Sequence, residues 1–595
     1  MIKYKLKKDS IKPFSFSYLK DYLEALGIKQ TDSFINQPRL EDQEKWQKLD
    51  NIFDACQSLH KGFEEDKQFF LQVDSDADGY TSGAIFYAFF KKLYPNAKIE
   101  FRVHDAKEHG VVLNTIPITA DYVIIPDAGS NQFDIQEALS NQGRHVVILD
   151  HHIVENAPTF PNVVVVNNQA SPHFENKFLS GAGVVYKTIQ AYSELYGFEM
   201  EDDSMYEDYA DLAALGIVAD MMDSRNLDNN YLIYKGLHNI KNPMLKAILE
   251  KQEFSVSSVD NPTKIDMAFY VAPLINAVVR YGTTEEKELL FEGMITYNAT
   301  KIMESTYQGA IRKENYYDYI ARTSSNVRGK QNRDKLKCMN FLKKRIDDNH
   351  LADHQLLIVT VSNTDEVKIP KTITGLVAME LLKYYNRPTL VLRPRVVKEE
   401  HDCKYSAFAG SGRGKANGKF TSLFGMLRAS GLCDYVEGHD MAHGVQFPQY
   451  NLEPILEFAD EYLKDVDFSL TEVEVDYAFA TSNINRDMIV EFAEVTHIYG
   501  NKIPQPKFAF ELNVSKDSIR IMGKKNNAVK FTVGGVDFLK FNAGKLVEFI
   551  NSSSANIIQF TVIGRAQINE WMGRKTPQIM IDEMEYTAKE LENLF

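Results

Sequence analysis

Four short apolar runs between residues 69 and 167 constrain the fold of this chain more than any other feature. Helical patterns separate several of them, for example at 82–93 and 135–139. Strands that alternate with helices are typical of a parallel sheet covered by helices on both faces. We therefore predict an α/β domain around these runs: FFLQVD at 69–74, YVIIPD at 122–127, HVVILD at 145–150 and NVVVVN at 162–167.

The length of 595 residues predicts several domains, because single hydrophobic cores stop growing near ~250 to 300 residues. Alternating apolar residues between turns after residue 468 predict a small β-barrel or sandwich. The expected segments are an N-terminal helical layer at 1–66, the parallel α/β domain at 67–300, a basic connecting helix at 301–350, a second α/β domain at 351–465, and the strand-rich domain with a C-terminal helix at 466–595.

Composition excludes several classes of protein. No apolar run approaches the ~18 residues of a membrane span, and the basic start MIKYKLKKDS has no apolar segment after it, so we expect neither a membrane protein nor a secretory signal, but a cytoplasmic protein. The cysteines are far apart with no CxxC pair, which excludes a disulfide framework and a structural zinc site. They are Cys56, Cys338, Cys403 and Cys433. Any metal would therefore be held by oxygen and imidazole ligands.

The net charge of −15 conceals a basic stretch. Residues 312–345 contain eleven basic and three acidic side chains, a local excess of eight positive charges. Clustering of basic residues matters more than their sum for binding a polyanion. The sequence thus leaves room for a nucleic-acid partner.

Three acids follow the first apolar run at alternate positions: Asp74, Asp76 and Asp78. On a strand they would share one face and repel one another unless a cation neutralised them. The alternative is an Asx-type turn before a helix, with Gly79 in the turn and Thr81 or Ser82 as the N-cap. One such loop fits either interpretation.

The pattern recurs, which favours a metal site. Asp127 ends the second run, Asp150, His151 and His152 end the third, and Asp220 follows the apolar segment GIVA. Carboxylate oxygens and imidazole nitrogens of this kind are typical of a pair of Mn²⁺ or Mg²⁺ ions. Two ions about 4 Å apart can activate a water and stabilise charge on a phosphoryl group.

The series DSDADGYTSG, IIPDAGS, VVILDHH, SGAGVVYK and LGIVAD resembles the DHH phosphoesterase superfamily, and within it the RecJ-like single-strand-specific exonucleases. Three later segments extend the resemblance. APLINAVVRYG is similar to an Asn-Ala-x-x-Arg segment, TGLVAMELLKYYNRPTLVL with AGSGRG to the DHHA1 domain, and IYGNKIPQPKF with NEWMGRKTPQIMI to the OB-like domain. The resemblance covers roughly residue 68 to the end.

The resemblance implies a role for each motif residue. It implies metal ligation by Asp76, Asp78, Asp127, His151 and Asp220, with Asp74 as a further candidate and Asp127 between the two ions. It implies that Asp150 and His152 orient the site and contact the scissile phosphate. It implies substrate binding by Arg280, Ser411, Gly412, Arg413 and His439, with Asn276, His104, Lys107 and Arg333 as further candidates.

The chain departs from the family pattern at two places. RVHDAKEHG after the second strand lacks an arginine that family members use on a 5′ phosphate, and offers His104 or Asp105 there, with Arg102 or Lys107 as substitutes. In the second α/β domain, Glu437 and His443 stand where small residues are usual. We expect these changes to affect which end of a strand the protein selects more than they affect hydrolysis itself.

The resemblance implies a single-stranded-DNA exonuclease that releases 5′-mononucleotides, with 5′-to-3′ direction, in recombination, repair or replication. The implied partners are single-stranded DNA and a single-strand binding protein or helicase, and we expect a monomer. Two alternatives remain. One is a phosphodiesterase of short oligonucleotides or cyclic dinucleotides, and the other is an inactive replication scaffold.

Overall fold

The structure, a computed structural model, describes most of the chain. The described residues are 3–7, 17–105, 108–154, 158–197, 205–307, 309–362, 364–398, 404–417, 420–468, 472–523, 525–571 and 573–589. They form two compact units, one of Met1–Ser324 with Glu472–Phe595 and one of Ser325–Thr471. No helix among them is long and apolar enough to cross a membrane.

The described part of the N-terminal segment contains one strand and three helices. They are β1 (Lys3–Leu6), α1 (Tyr18–Ala25), α2 (Asp32–Ile35) and α3 (Ile52–Glu64), with 3-10 turns at Leu40–Asp42 and Trp46–Lys48. The predicted helical layer at 1–66 therefore needs a correction, since residues 3–6 are extended and pair with a distant strand. Residues 1–2 and 8–16 lie outside the described residues.

A five-stranded parallel sheet forms the centre of the next region, which confirms the predicted α/β class. Its strands are β2 (Gln68–Gln72), β3 (Lys98–Arg102), β4 (Tyr122–Pro126), β5 (His145–Asp150) and β6 (Val163–Asn167), in the order β3-β2-β4-β5-β6. All neighbouring pairs are parallel. The carboxyl ends of β2, β4 and β5 therefore meet at one edge, where open α/β sheets bind ligands.

Nine helices accompany this sheet in the described residues. They are α4 (Ala77–Leu93), α5 (Phe133–Asn141), α6 (Gly181–Tyr196), α7 (Ala210–Ala219), α8 (Leu227–Leu237), α9 (Pro243–Lys251), α10 (Lys264–Asp266), α11 (Ala272–Tyr281) and α12 (Thr284–Ile295). A π-helical turn, Met267–Val271, joins α10 to α11. Nearly all residues of α4 and most of α6 are buried, as expected of helices without a polar face.

The predicted basic helix at 301–350 is shorter than expected. A hairpin of β7 (Ile302–Tyr307) and β8 (Ala310–Asn315) precedes α13 (Tyr316–Asp348). Arg312 and Lys313, the first two basic residues of the basic stretch, therefore lie on a strand. Their side chains pair with acids of the same hairpin, for example Lys313 with Glu304 at 2.8 Å.

The second unit has its own mixed sheet. Its strands are β9 (Leu357–Thr360), β10 (Thr389–Lys398), β11 (Lys404–Arg413), β12 (Tyr435–His439) and β13 (Ala442–Pro448), in the order β12-β13-β11-β10-β9. Only the β9–β10 pair of these is parallel. The helices are α14 (Thr374–Tyr385), α15 (Leu423–Ala429) and α16 (Leu452–Tyr462).

The C-terminal region is rich in strands, as predicted. Its elements are β14 (Glu472–Val475), β15 (Tyr477–Ala480), α17 (Arg486–Glu494), β16 (Phe508–Ser515), β17 (Arg520–Met522), β18 (Ala528–Val533), β19 (Val536–Lys540), α18 (Gly544–Ser552), β20 (Ile557–Trp571) and β21 (Arg574–Lys589). Seven of the strands form one sheet in the order β15-β16-β20-β21-β19-β18-β17. The predicted C-terminal helix is wrong over 585–589, which continue β21 and pair with β20, and 590–595 lie outside the described residues.

The two ends of the chain pack together. β1 pairs in parallel with β14. The side chains of Leu19 and Tyr22 on α1 enter the core of the C-terminal region beside Phe492. The Glu491 carboxylate accepts hydrogen bonds from the hydroxyl of Ser17 and the backbone of Leu19, so the N-terminal helices belong in part to the C-terminal core.

Candidate metal centre and nucleic-acid contacts

The sheet edge gathers the acids and imidazoles that the sequence places after the apolar runs. His151 Nε2 lies 3.2 Å from Asp127 Oδ1, 3.6 Å from Asp220 Oδ2 and 3.8 Å from Asp78 Oδ2. Ligand-type atoms of Asp78, His151 and Asp220 lie within 4.8 Å of one another, as do those of Asp74, Asp76 and Asp127. All six candidate ligands therefore belong to one cluster around Asp127.

Two of the acids are fixed by helix N-termini. Asp76 is the N-cap of α4, and its Oδ1 accepts hydrogen bonds from the backbone of Asp78 and Gly79 at 3.0 and 3.1 Å. Asp78 accepts hydrogen bonds from the backbone of Gly181 and Ala182 at the start of α6. Backbone N–H groups at a helix N-terminus bind carboxylate oxygens well, so both side chains are held in a fixed orientation. The alternative placed the N-cap at Thr81 or Ser82, which is wrong, because both lie inside α4 and Asp76 is the N-cap.

Asp127 is the most constrained of the acids. It follows β4 with a left-handed backbone, φ 63°, which is uncommon for a residue with a side chain. Its side chain is 3 % exposed, and Oδ1 has no hydrogen-bond donor among the described residues. A Cβ at position 181 would lie 2.4 Å from Oδ1, so Gly181 leaves the room that this carboxylate occupies.

The charges in the cluster are not balanced by the protein. Burial, and then the charges of Asp78 and Asp76, raise the pKa of Asp127 well above its usual range. The same causes raise the pKa of Asp220 to about 8, and burial with Asp78 and Asp74 raises that of Asp76. Acids that repel one another in a buried site, with an oxygen left unpaired, fit divalent cations bound by oxygen and imidazole.

Asp150 differs from the other acids because its oxygens are fully used. They accept hydrogen bonds from the backbone of Ser130, His151 and His152 and from Nδ1 of His152 at 2.7 Å. These bonds outweigh burial and lower the pKa of Asp150. Burial opposes a charge on His152, but the hydrogen bond to Asp150 raises its pKa to about 9. The pair therefore holds a cationic, 41 % exposed imidazole beside the cluster.

His109 is a further member of the site that the sequence analysis did not select. Its Nδ1 lies 2.9 Å from Asp74 Oδ2, and its ring centre lies 4.7 Å from that of His152. The side chain is 55 % exposed. Asp74 also accepts a hydrogen bond from the backbone of Gly110 at 2.8 Å. The only sequence signal for His109 is its place as the second histidine in RVHDAKEHG.

The described residues expected to replace the missing arginine are engaged with neighbouring side chains. The structure contradicts His104 as a substrate contact, because its side chain is fully buried between Gln72 and Glu108. Arg102 donates to the Gln72 side chain, and Asp105 accepts a hydrogen bond from Thr284. Lys107 lies outside the described residues.

Helix α11 places Arg280 and Asn276 beside the candidate metal ligands of the acidic loop. Asn276 Oδ1 accepts a hydrogen bond from the backbone of Ala77 at 3.2 Å, which ties α11 to the acidic loop. The charge of Arg280 lowers the pKa of Asp76 against the larger opposing effects. The guanidinium therefore lies near the acidic cluster. Its Nε has no acceptor among the described residues, so it retains a hydrogen-bond donor.

The remaining substrate candidates lie in the second unit. Arg413 on β11 faces Ala442 on β13, which faces His439 on β12, and directly opposed residues share one face of a sheet. Ser411 lies on the same face, with its hydroxyl 2.9 Å from that of Thr374 at the start of α14. A Cβ on Gly375 would lie 2.4 Å from Arg413 Nη2. Ser411 and Arg413 thus lie near a helix N-terminus, and His439 lies on the same face of the sheet, two strands from Arg413.

Gly412 has a packing role on the other face. A Cβ there would lie 2.4 Å from Nε2 of His443, its partner on β13. His443 is buried, and Nε2 has no hydrogen-bond partner among the described residues. Burial lowers the pKa of His443 to about 4, so this unusual histidine adds no positive charge.

The basic stretch is partly neutralised. Arg322 pairs with Glu314 at 2.5 Å, and Arg345 pairs with Asp365 at 2.7 Å. Arg333 is exposed on α13. The positive surface is therefore smaller than the sequence count indicated.

Comparisons with known proteins agree with this geometry. Residues 68–217 match the model of the DHH family N-terminal domain, and residues 475–583 match that of the RecJ OB domain. The SPbeta prophage-derived protein YorK of Bacillus subtilis (strain 168), provisionally named a single-strand DNA-specific exonuclease, is 33 % identical over 98 % of each chain. The chain belongs to the RecJ-like family of single-strand-specific exonucleases.

Other members of the RecJ-like family agree in sequence and fold. The single-stranded-DNA-specific exonuclease RecJ of Bacillus subtilis (strain 168) is 24 % identical over 91 % of this chain and 64 % of its own length. The crystal structure of RecJ from Thermus thermophilus in complex with Mn²⁺ has a TM-score of 0.68 at 18 % identity, and covers 97 % of this chain and 77 % of that one. The same Thermus protein has also been solved with Mg²⁺.

Proposed function

We propose that this chain is a metal-dependent single-stranded-DNA exonuclease that hydrolyses phosphodiester bonds from 5′ to 3′ and releases 5′-mononucleotides. The observation that carries the proposal is the buried, unpaired Oδ1 of Asp127, surrounded by acids and 3.2 Å from His151. The arrangement is costly without cations. Family membership supports single-stranded DNA as the substrate.

Asp76, Asp78, Asp127, His151 and Asp220 would hold two divalent ions, Mn²⁺ or Mg²⁺, with Asp127 between them and Asp74 as a further ligand. Bound ions of this kind lower the pKa of a water and stabilise charge on a phosphoryl group. The protein contributes a rigid set of oxygens, because Asp76 and Asp78 are already fixed by backbone N–H groups. Little reorganisation is then needed when the ions bind.

Asp150 positions His152, and His152 contacts the scissile phosphate. The hydrogen bond to Asp150 keeps His152 protonated, so its imidazolium can donate to a phosphate oxygen and stabilise the charge that develops there. His109 is a second imidazole at the same edge, held by Asp74 through Nδ1, and its exposed ring can contact the next phosphate of the strand.

Arg280 extends the phosphate contacts beyond the cluster, because its guanidinium lies near Asp76 and retains donor capacity. Guanidinium groups pair well with phosphate because they present parallel donors. In the second unit, Arg413, Ser411 and His439 would bind the DNA backbone at the start of α14, with exposed Arg333 as a weaker contact. Glu437 is on the same face as Ser411 and would weaken this grip.

The C-terminal OB domain would hold the incoming strand by charge and base stacking. Its presence favours long strands over short oligonucleotides or cyclic dinucleotides, which need no such domain. The fixed, closely spaced acids argue against an inactive scaffold. We place the enzyme in the cytoplasm as a monomer, acting in recombination, repair or replication with a helicase or a single-strand binding protein.

The experiment is a digestion of single-stranded oligonucleotides labelled internally and blocked at one end by phosphorothioate linkages. The proposal predicts mononucleotide products with Mn²⁺, protection by a 5′ block and no protection by a 3′ block. Protection by the 3′ block alone would contradict the direction. Activity restricted to dinucleotides and very short oligonucleotides would support the phosphodiesterase alternative instead.

A further inference from the structure

A small pocket lies where the N-terminal segment, the parallel-sheet domain and the C-terminal region meet within the first unit. Its polar lining comes from Asn36, Asn230, His238, Thr263, Lys264 and His497. The parallel-sheet domain and the C-terminal region also contact each other around the pocket. Leu227 and Ile265 pack against the C-terminal core, and the backbone N–H of Ser224 donates to the backbone carbonyl of Asn501. The pocket is therefore a junction between parts that are distant in sequence.

Lys264 is the unusual residue in this lining. Its side chain is buried, with 3 % of the residue exposed, and its ammonium makes one long hydrogen bond, 3.4 Å to Asn230 Oδ1. No carboxylate of the described residues lies within 4.0 Å of it. The other two buried lysines are better engaged, since Lys187 is 2.7 Å from Asp228 and Lys287 donates to the backbone carbonyls of His104 and Asp105. A buried ammonium without an anionic partner is costly, and burial lowers the pKa of Lys264 to about 7.

Two histidines, His238 and His497, line the pocket with Lys264. His497 hydrogen-bonds the backbone of Phe34, and its pKa is lowered by burial and then by the charges of Lys264 and His238. The nearby Asp266 is already engaged by Ser257 and Thr263. None of the described lining residues is acidic. Three basic groups thus face one another with amide and hydroxyl donors between them and no anion from the protein.

We propose that this pocket binds a phosphate-type oxyanion through Lys264, His238 and His497. The anion supplies the negative charge that the lining lacks, and the amides of Asn36 and Asn230 donate to its remaining oxygens. Because His497 belongs to the C-terminal region and Lys264 to the parallel-sheet domain, the bound anion fastens these two parts together. Either inorganic phosphate or the phosphate of a mononucleotide has the required chemistry.

The test is a thermal unfolding series on the metal-free full-length protein, so that the metal centre does not contribute. Inorganic phosphate is compared with chloride at equal ionic strength, for the unmodified protein, Lys264→Met and, as a matched control, Lys246→Met on the exposed surface of α9. Phosphate should raise the Tm of the unmodified protein and the control by on the order of 2 °C more than that of Lys264→Met. Without phosphate, Lys264→Met should have the higher Tm, because the uncompensated ammonium is gone.

A second variant keeps the test valid if Lys264→Met folds poorly. His497→Gln retains the lysine and should show a phosphate-dependent Tm shift reduced by at least half. A parallel series with 5′-dAMP separates the two sources of phosphate. A Tm shift with 5′-dAMP equal to that with inorganic phosphate shows that the pocket accepts a nucleotide phosphate. A Tm shift with inorganic phosphate alone shows that free phosphate is the ligand. Equal phosphate shifts in the unmodified protein, Lys264→Met and His497→Gln, or an equal shift with chloride, would overturn the proposal.

Discussion

Asp127 Oδ1 and His151 Nε2 lie 3.2 Å apart in the centre of the acidic cluster, and among the described residues no donor forms a hydrogen bond to that oxygen. Asp127 also has the left-handed backbone of a strained position. Strain and unpaired charge at one residue lower the stability of the metal-free protein. The same features prepare the oxygen for a cation.

Asp127→Asn should therefore stabilise the metal-free protein while it abolishes the response to metal. The substitution removes one of several charges that repel one another, and an amide is a much poorer ligand for Mn²⁺. Thermal unfolding with and without Mn²⁺ measures both effects. We expect a higher metal-free Tm for the variant and a Mn²⁺-dependent rise only in the unmodified protein. An undiminished Mn²⁺-dependent rise in the variant would argue against ligation by Asp127.

His152→Gln should lower kcat by on the order of 100-fold and leave the Mn²⁺-dependent Tm rise intact, because the proposed mechanism has His152 contact the phosphate and not the ions. Asp150→Asn should have a similar effect, since Asp150 acts through His152. The double variant should then be little worse than either single variant. Additive losses would show that Asp150 has a separate role.

His109→Gln should lower kcat/KM for single-stranded DNA by about tenfold, the loss expected when one phosphate contact worth roughly 1 to 2 kcal/mol is removed. His354→Gln is a matched control. His354 is also a half-exposed histidine that pairs through Nδ1 with an acid, Asp460 at 2.7 Å, but it lies in the second unit outside the candidate site. If both variants lose activity equally, the contact of His109 is not specific.

The strand ends and most of the acidic cluster could be predicted from the sequence, because three of the four apolar runs end in a candidate site residue and parallel strands end at one edge. Asp127, Asp150 and His151 were found in this way. His109 was missed because the course of the loop after β3, rather than any periodicity, brings it back to Asp74. The prediction that His104 contacts the substrate was wrong for the same reason, because the loop turns this side chain inward to Gln72.

Long-range pairing explains the other errors. Lys3–Leu6 is extended because Glu472–Val475 offers a strand edge hundreds of residues away, which local patterns cannot reveal. Residues 585–589 contain helix formers such as Glu585 and Ala588, yet pairing with β20 makes them a strand. Tertiary pairing overrides intrinsic propensity in both cases.

The buried Asp211 predicts a dependence of stability on pH. Burial outweighs three backbone hydrogen bonds and raises its pKa from 3.8 to about 6. The folded protein then holds a proton between pH 4 and pH 6 that the unfolded chain releases, so this group makes the protein less stable as pH rises through that range. The total effect is roughly 3 kcal/mol.

Asp211→Asn should remove this contribution. Relative to the unmodified protein, the Tm of the variant should rise between about pH 4 and pH 6 and remain constant above that. The measurement is a thermal unfolding series over pH for both proteins. A Tm difference that does not vary with pH would show that Asp211 titrates normally.

Nuclease activity on internally labelled single-stranded DNA tests whether this chain is a metal-dependent nuclease and whether catalysis needs Asp127. The unmodified protein, Asp127→Asn and Asp487→Asn are compared with Mn²⁺ and with EDTA, Asp487 being a 97 % exposed acid of the C-terminal region. We predict mononucleotide release by the unmodified protein and Asp487→Asn with Mn²⁺ only, and a loss of at least ~1,000-fold in Asp127→Asn. If Asp127→Asn were as active as the unmodified protein, or if activity were undiminished in EDTA, the chain would not be a metal-dependent nuclease that needs Asp127.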